Sequence, residues 1–226
     1  MPLYRRLAAE AFGTFALVFF GCASVVMSAY PGSDWGVFGI AVAHAVVLSV
    51  AISATMAVSG GHLNPAVTIA LAAMRRVPPA RAAAYVAVQL AAAAAAGLTL
   101  KALVPTGASV MYGTPGLSGT LTITHGIAVE ALLTFFLMSA VYGTCIVPGA
   151  PKVAGFGIGL TLLFGIMAGG SLTGGALNPA RAFGPAVASG QWTAHIAWWL
   201  GPIVGALLAA ALWEFVIMPR PGEQDA

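Results

Sequence analysis

Six stretches of this chain are each long and apolar enough to cross a lipid bilayer. They span roughly residues 7–29, 36–58, 80–104, 123–147, 153–171 and 194–218. A helix needs roughly 20 mostly apolar residues to cross the hydrocarbon core. Only 7% of the residues are charged, against about a quarter in a soluble domain. The sequence therefore predicts an all-α, multi-pass integral membrane protein with six transmembrane helices in a single domain, 1–226, surrounded by lipid.

The basic residues indicate how the chain is oriented. If the six stretches cross the membrane in turn, most of the nine Lys and Arg residues fall on one side: Arg5, Arg6, Arg75, Arg76, Arg81, Lys152 and Arg220. Basic loops stay in the cytoplasm, so both termini are expected there, and the cell (plasma) membrane is the expected location. The net charge of +3 is small and spread along the chain, which gives no nucleic-acid-binding surface.

One motif occurs twice, as SGGHLNPAVTIALA near residue 64 and as TGGALNPARAFGPA near residue 178. A second pair of similar stretches, AEAFGTF and VEALLTF, places Glu10 and Glu130 at matching positions. Each half, about 1–105 and 120–226, then holds three spans. Because three is odd, the second half must be inverted relative to the first. Inverted repeats put their functional site near the midplane, between interrupted helices.

Each motif also predicts its own local structure. Asparagine is a favoured helix N-cap and proline a favoured first helical residue, so a helix is predicted to begin at Pro65 and another at Pro179. The paired glycines before them permit irregular backbone. The first helix can run to about residue 73 and the second to about residue 189, which gives half-membrane helices that begin at the middle of the bilayer.

Irregular backbone at this depth must line a water-filled cavity or lie inside protein. The loop backbone is therefore expected to line a pore at Gly60, Gly61, His62, Gly174 and Ala176. If each asparagine oxygen caps its own helix, the side-chain NH₂ groups of Asn64 and Asn178 remain free as donors to the lumen. Two helix N-termini add positive potential there. Such a pore would orient water, interrupt proton transfer, repel cations and pass neutral molecules.

The stretches GHLNPAV, LNPARAFGPA and AEAFGTF resemble the aquaporin (major intrinsic protein) family over essentially the whole chain. The resemblance implies six tilted helices plus two re-entrant half-helices, one pore per subunit, a homotetramer and no cofactor. It assigns the two family motifs to Asn64, Pro65, Ala66, Asn178, Pro179 and Ala180. It also implies that Glu10 and Glu130 accept hydrogen bonds from the motif loops.

The same resemblance implies a selectivity filter of four residues: His44, Ile166, Gly175 and Arg181. Water-selective members usually carry phenylalanine and histidine at the first two positions. This set instead resembles the plant tonoplast subgroup that conducts ammonia, although residues 105–122 lack that subgroup's further histidine. The filter is expected to be wide and partly apolar, with donors from His44 and Arg181 on one wall. A passive channel for water and neutral ammonia is therefore predicted.

Other functions compete with this one. A strict water channel, or a broader channel for urea or hydrogen peroxide, stays open. Glycerol is disfavoured because Ala182 and Ala186 stand where glycerol facilitators carry Asp and Lys. A secondary transporter would need ion ligands at the midplane. An intramembrane hydrolase would need a catalytic set, but the aspartates, Asp34 and Asp225, lie outside the spans. No catalytic residue, metal site or cofactor is expected.

Overall fold

The computed structural model describes residues 1–151, 153 and 155–219, and the regular structure of these residues is entirely helical. Its α-helices are α1 (Leu3–Ser28), α2 (Gly36–Ser59), α3 (Pro65–Ala73), α4 (Pro79–Leu103), α5 (Ile123–Val141), α6 (Gly155–Thr173), α7 (Pro179–Ser189) and α8 (Ala197–Leu212). A π-helical segment continues α5 to Ile146 and another continues α8 to Ile217. Six of these helices are long and apolar enough to span a membrane, which confirms the predicted all-α fold with six spans.

The two short helices begin where the sequence predicts. α3 has 9 residues from Pro65 and α7 has 11 residues from Pro179. At about 1.5 Å per residue they are roughly 14 and 17 Å long, which is about half of a bilayer core. Their starting points are therefore confirmed, and each reaches only part of the way across.

Small residues let the long helices pack closely. A Cβ atom added at Gly97 of α4 would collide with the carbonyl oxygen of Gly184 in α7. One added at Gly205 of α8 would collide with the carbonyl oxygen of Ala131 in α5, and one at Gly201 would lie 2.7 Å from that of Ile127. Membrane helices associate through such close backbone contact. Gly201 and Gly205 thus allow α8 to pack closely against α5.

The surface of the bundle is apolar, and its mostly apolar interior contains buried ionisable residues. Large apolar side chains such as Phe12, Phe20 and Leu132 are exposed on its surface, where a membrane would supply lipid as their neighbour. Glu10 and Glu130 are completely buried. Ionisable residues inside a membrane protein are costly and usually serve a site, so the interior is where a functional site is expected.

One ion pair joins segments that are distant in the chain. Arg76, just after α3, pairs with Glu214 beyond the end of α8, and the Tyr142 hydroxyl donates to the same carboxylate at 2.8 Å. The hydrogen bond to Glu214 raises the pKa of Arg76. The loop after α3 and the end of α8 therefore meet on one side of the bundle. Lys152, Arg220 and Asp225 lie outside the described residues, and the cytoplasmic placement of both termini stays a prediction.

Candidate functional site

The asparagine of each motif caps its own half-helix. The side-chain oxygen of Asn64 accepts a hydrogen bond from the backbone N–H of Ala66 at 2.9 Å. The oxygen of Asn178 accepts from the N–H groups of Ala180 at 2.9 Å and Arg181 at 3.3 Å. These bonds satisfy amides that a helix N-terminus otherwise leaves unpaired. The local interpretation of both motifs as loop, cap and helix is confirmed.

The two asparagines also cross-link the two halves of the chain. The Asn64 amide nitrogen donates to the carbonyl oxygen of Leu177 at 2.9 Å, and the Asn178 amide nitrogen donates to that of Leu63 at 2.9 Å. Each NH₂ group therefore donates one of its two hydrogens to a carbonyl oxygen of the opposite loop. The expectation that the whole NH₂ is free was wrong in this respect, and one N–H per asparagine remains.

The loops before the asparagines adopt an unusual backbone conformation in both halves. Leu63 has φ of 50° and Leu177 has φ of 53°, while Gly61 and Gly175 have φ of 62° and 56°. Glycine adopts this left-handed region freely, but a bulky residue there costs on the order of 1–3 kcal/mol. Something must therefore hold each loop in place.

Glu10 holds the first loop from within α1. One of its carboxylate oxygens accepts from the Ser59 hydroxyl at 2.6 Å and the His62 amide at 3.0 Å. The other accepts from the Leu63 amide at 2.8 Å and the Gln89 side chain at 2.9 Å. All four partners are donors, which suits a carboxylate. The carboxylate thus fixes the two loop amides that precede Asn64.

Glu130 holds the second loop in the same manner from within α5. Its oxygens accept from the Thr173 hydroxyl at 2.6 Å, the Ala176 amide at 3.0 Å and the Leu177 amide at 2.8 Å. These contacts match those of Glu10 one for one, apart from the additional bond that Gln89 makes. They are the contacts that the family resemblance implies for the two glutamates.

Two aromatic side chains complete the support, and the sequence analysis did not identify them. The Tyr85 hydroxyl of α4 donates to the carbonyl oxygen of Ser59 at 2.8 Å. The Trp198 indole of α8 donates to the carbonyl oxygen of Thr173 at 2.9 Å. Ser59 and Thr173 are the last residues of α2 and α6. Each aromatic residue thus donates a hydrogen bond to the last carbonyl oxygen of α2 or α6, which has no partner within its own helix.

Two cavities lie end to end along the bundle. The inner one passes both asparagines and is bordered by the predicted loop residues Gly60, Gly61, His62 and Ala176. The outer one is bordered by Gly113, Ile166 and Gly174, together with Val25 of α1, the first turns of α2 and residues 114–116. Arg181 borders both cavities. The constriction between them therefore lies at this side chain, in the first turn of α7.

His44 reaches the inner cavity from α2. Its Nδ1 lies 2.9 Å from the carbonyl oxygen of Ile40, and a carbonyl only accepts, so the proton of the neutral ring is on Nδ1. Nε2 is buried, finds no partner in the part of the chain that the structure describes, and is then an acceptor. The expectation that His44 contributes a donor was therefore wrong for the neutral ring.

Arg181 is the charged group at the constriction. It is only 4% exposed, and its Nη1 donates to the carbonyl oxygen of Gly113 at 2.8 Å. Its Nε is buried without a protein partner within the described residues. Gly113 has φ of 78°, and a Cβ there would lie 3.1 Å from the Cα of Cys22. A glycine thus presents the carbonyl that fixes the guanidinium.

The comparisons with known proteins agree with this geometry. The family described as "Major intrinsic protein" matches residues 1–213. Aquaporin TIP4-4 of Zea mays is 39% identical, covering 97% of this chain and 89% of the relative. The chain belongs to the aquaporin family.

Further relatives refine the comparison. Aquaporin TIP4-1 of Arabidopsis thaliana is 41% identical, and the match covers 96% of this chain and 88% of the relative. Nodulin-26 of Glycine max is 38% identical, and the match covers 96% of this chain and 79% of the relative. The plant TIP aquaporins agree with the predicted tonoplast-type resemblance and give no support to the expected cell-membrane location. The aquaglyceroporin of Plasmodium falciparum has a TM-score of 0.85 at 22% identity, covering 96% of this chain and 97% of that one, and shows the fold alone.

As a member of this family, the protein is an integral multi-pass membrane channel for water and small solutes, and its relatives are channels rather than enzymes. Among the described residues, no three His, Cys, Asp or Glu side chains lie close enough to hold a metal ion. The polar groups of the aquaporin interior are instead arranged around the two loops and the constriction.

Two of the four predicted filter residues, Ile166 and Gly175, lie against each other, and His44 and Ile166 each border a cavity that Arg181 also borders. Ile166 of α6 is 2% exposed and borders the outer cavity beside Arg181. Gly175 lies against it, since a Cβ added there would be 3.1 Å from the Cα of Ile166. Gly175 therefore contacts the filter isoleucine, and a side chain at this position would meet the α6 backbone. No comparison tests the roles of these four residues, which stay predictions.

His62 occupies a different place in the aquaporin interior. Its backbone amide is bound by Glu10, and its Nδ1 lies 3.0 Å from the Thr68 hydroxyl. Gln89 donates to that same hydroxyl at 3.1 Å. The ring borders the inner cavity and is joined by hydrogen bonds to α3 and, through Thr68, to α4. His62 thus belongs to the loop support as well as to the pore wall.

Proposed function

We propose that this aquaporin conducts water and neutral ammonia and excludes protons and ions. The observation that supports ammonia is the composition of the constriction, where Arg181 is accompanied by the apolar Ile166 and by Gly175, which has no side chain. Ammonia is close to water in size but less tightly hydrated. An apolar wall therefore penalises it less than a wall of polar groups would.

The neutral His44 ring fits this proposal. With its Nδ1 proton engaged by the carbonyl oxygen of Ile40 and its Nε2 buried, the neutral ring adds little polarity to the constriction. Ammonium would meet the guanidinium of Arg181 and the two half-helix N-termini, each equivalent to roughly half a positive charge. The uncharged form of ammonia is therefore the permeant one.

Proton exclusion is proposed to arise at the asparagine pair. Both side-chain oxygens are turned to their own helices as caps, and the remaining N–H of each side chain is the group proposed to face the lumen. A water molecule there turns its oxygen toward the asparagines and its hydrogens away. Because proton transfer along a file of waters needs one continuous hydrogen-bond direction, this orientation interrupts it. Vesicles containing the channel should dissipate a pH gradient, in the absence of ammonia, no faster than empty vesicles.

The ammonia proposal is tested in proteoliposomes by osmotic shrinkage and by ammonia uptake measured as internal alkalinisation. The double variant His44→Phe/Ile166→His should lose more ammonia than water permeability, because it narrows the constriction and adds a polar ring. Val46→Phe is a control on the outer surface of α2, away from both cavities, where Val46 is 57% exposed. Rapid water flow with ammonia uptake equal to that of empty vesicles would contradict ammonia conduction and indicate a strict water channel. Parallel urea and peroxide assays test the broader alternative.

A homotetramer with one pore per subunit is proposed on the same family basis. The continuity of both cavities within one copy of the chain supports one pore per subunit. Assembly would then cover part of the exposed apolar surface without supplying residues to the constriction. The mass of the detergent-solubilised channel, measured with the detergent contribution removed, distinguishes a tetramer from a monomer.

A further inference from the structure

One face of α1 follows the pore across the constriction. Leu17 borders the inner cavity and Val25 borders the outer one. Gly21 lies four residues from each, and residues four apart share a helix face. Where the two cavities meet, this face of α1 therefore carries no side chain.

The imidazole of His44 occupies the space that a side chain at this position would fill. A Cβ atom added at Gly21 would lie 2.6 Å from Nε2, 2.8 Å from Cδ2 and 3.2 Å from Cε1 of that ring. Contacts of the first two lengths are not compatible with an unmoved ring. The Nε2 edge of His44 thus lies directly against the α1 backbone, while Nδ1 is held on the α2 side by Ile40.

Gly21 differs from the glycines that pack the helices. An added Cβ at Gly97, Gly184 or Gly205 would first meet a backbone carbonyl of a neighbouring helix, so those glycines permit close approach of backbones. At Gly21 the three nearest atoms all belong to the side chain of His44. The space at Gly21 therefore serves one side chain of the predicted filter rather than a helix contact.

We propose that Gly21 is a positioning residue that sets how far the His44 ring stands out from the pore wall. A side chain at position 21 moves the ring away from α1 and towards Arg181, or breaks the bond between Nδ1 and Ile40. Either change narrows the opening through which water passes. This inference rests on the proposed place of His44 at the constriction, but it does not depend on ammonia permeation.

The test uses the full-length channel in proteoliposomes and a double-mutant cycle on water permeability per reconstituted channel. Gly21→Ala should remove most of the water permeability. In a His44→Ala background, where the ring is absent, the same Gly21→Ala change should have little effect. Gly119→Ala is the matched control, because an added Cβ at Gly119 meets nothing within 4 Å. Such coupling between contacting residues is what a double-mutant cycle isolates.

The outcomes separate this inference from the proposed function. Wild-type water flow in Gly21→Ala, or an equal loss with and without the His44 ring, would overturn the positioning role and leave the filter assignment intact. A His44→Ala channel with unchanged water permeability and unchanged ammonia-to-water ratio would overturn both. If Gly21→Ala fails to fold, a well-folded double variant supports the collision with His44, and a misfolded one contradicts it.

Discussion

The substitution Glu130→Gln tests whether the buried carboxylate holds the second motif loop in place. Glu130 receives three donors on two oxygens: Thr173 and Ala176 on one, and Leu177 on the other. Glutamine has nearly the same shape but one acceptor oxygen and one NH₂ donor. Whichever way the amide is turned, its NH₂ must face at least one of these donors.

The cost follows from the least damaging orientation. With the amide oxygen towards Thr173 and Ala176, the Leu177 N–H loses its partner and is left buried, which costs about 1–3 kcal/mol. The two remaining bonds lose their charge assistance and with it about half their strength. We expect a total destabilisation of about 3–5 kcal/mol. Because Leu177 adopts a left-handed conformation with φ of 53°, the loop should relax and displace the adjoining Asn178.

The assay combines thermal unfolding of the detergent-solubilised channel with water permeability in proteoliposomes. Glu130→Gln should lower the unfolding midpoint clearly and reduce water flow. Glu214→Gln is the matched control, because its ion pair with Arg76 lies near the surface, where such pairs contribute up to about 1 kcal/mol. A Glu130→Gln channel with the stability and water flow of the wild type would show that the carboxylate is not needed to hold the loop.

Two further predictions concern the helix ends around this loop. Trp198→Phe should destabilise the channel by about 1–3 kcal/mol because it leaves the buried Thr173 carbonyl oxygen without the indole donor. Trp199→Phe, at the partly exposed neighbouring position, should have less effect, and equal midpoints for the two variants would contradict the capping role. His195, in the turn before α8, has a pKa lowered by burial. The unfolded chain therefore binds a proton more readily, so stability should fall as pH drops through about 6.5. His195→Phe should weaken that pH dependence, and an unchanged slope of the midpoint with pH would refute this reasoning.

The six spans and both half-helices were predictable because their signals are local. A bilayer requires long apolar helices, and the Asn-Pro pairs specify a cap and a first turn at Pro65 and Pro179. Ser59 and Thr173 also carried a readable signal, since each stands directly before a glycine pair. A hydroxyl at both equivalent positions could have been matched with Glu10 and Glu130, to which the two residues donate.

The features that sequence reasoning missed depend on tertiary packing. Gly113, whose carbonyl fixes Arg181, belongs to a segment with no repeated counterpart, and Gly21 is distinguished from other glycines only by the ring that lies against it. The hydrogen that His44 was expected to donate is used within its own helix by Ile40. That bond depends on the rotamer of the histidine, which the sequence does not specify.

The crossed asparagine bonds combine local helix capping with tertiary contacts in the proposed proton barrier. Capping uses the oxygen of each asparagine, and the opposite loop uses one of its hydrogens. The carbonyl groups that accept those hydrogens belong to Leu63 and Leu177, whose strained backbone the two glutamates hold. Each half thus supplies the carbonyl oxygen that orients the asparagine side chain of the other half. If the remaining N–H groups orient water as proposed, that orientation depends on Glu10 and Glu130, although neither glutamate needs to contact the water.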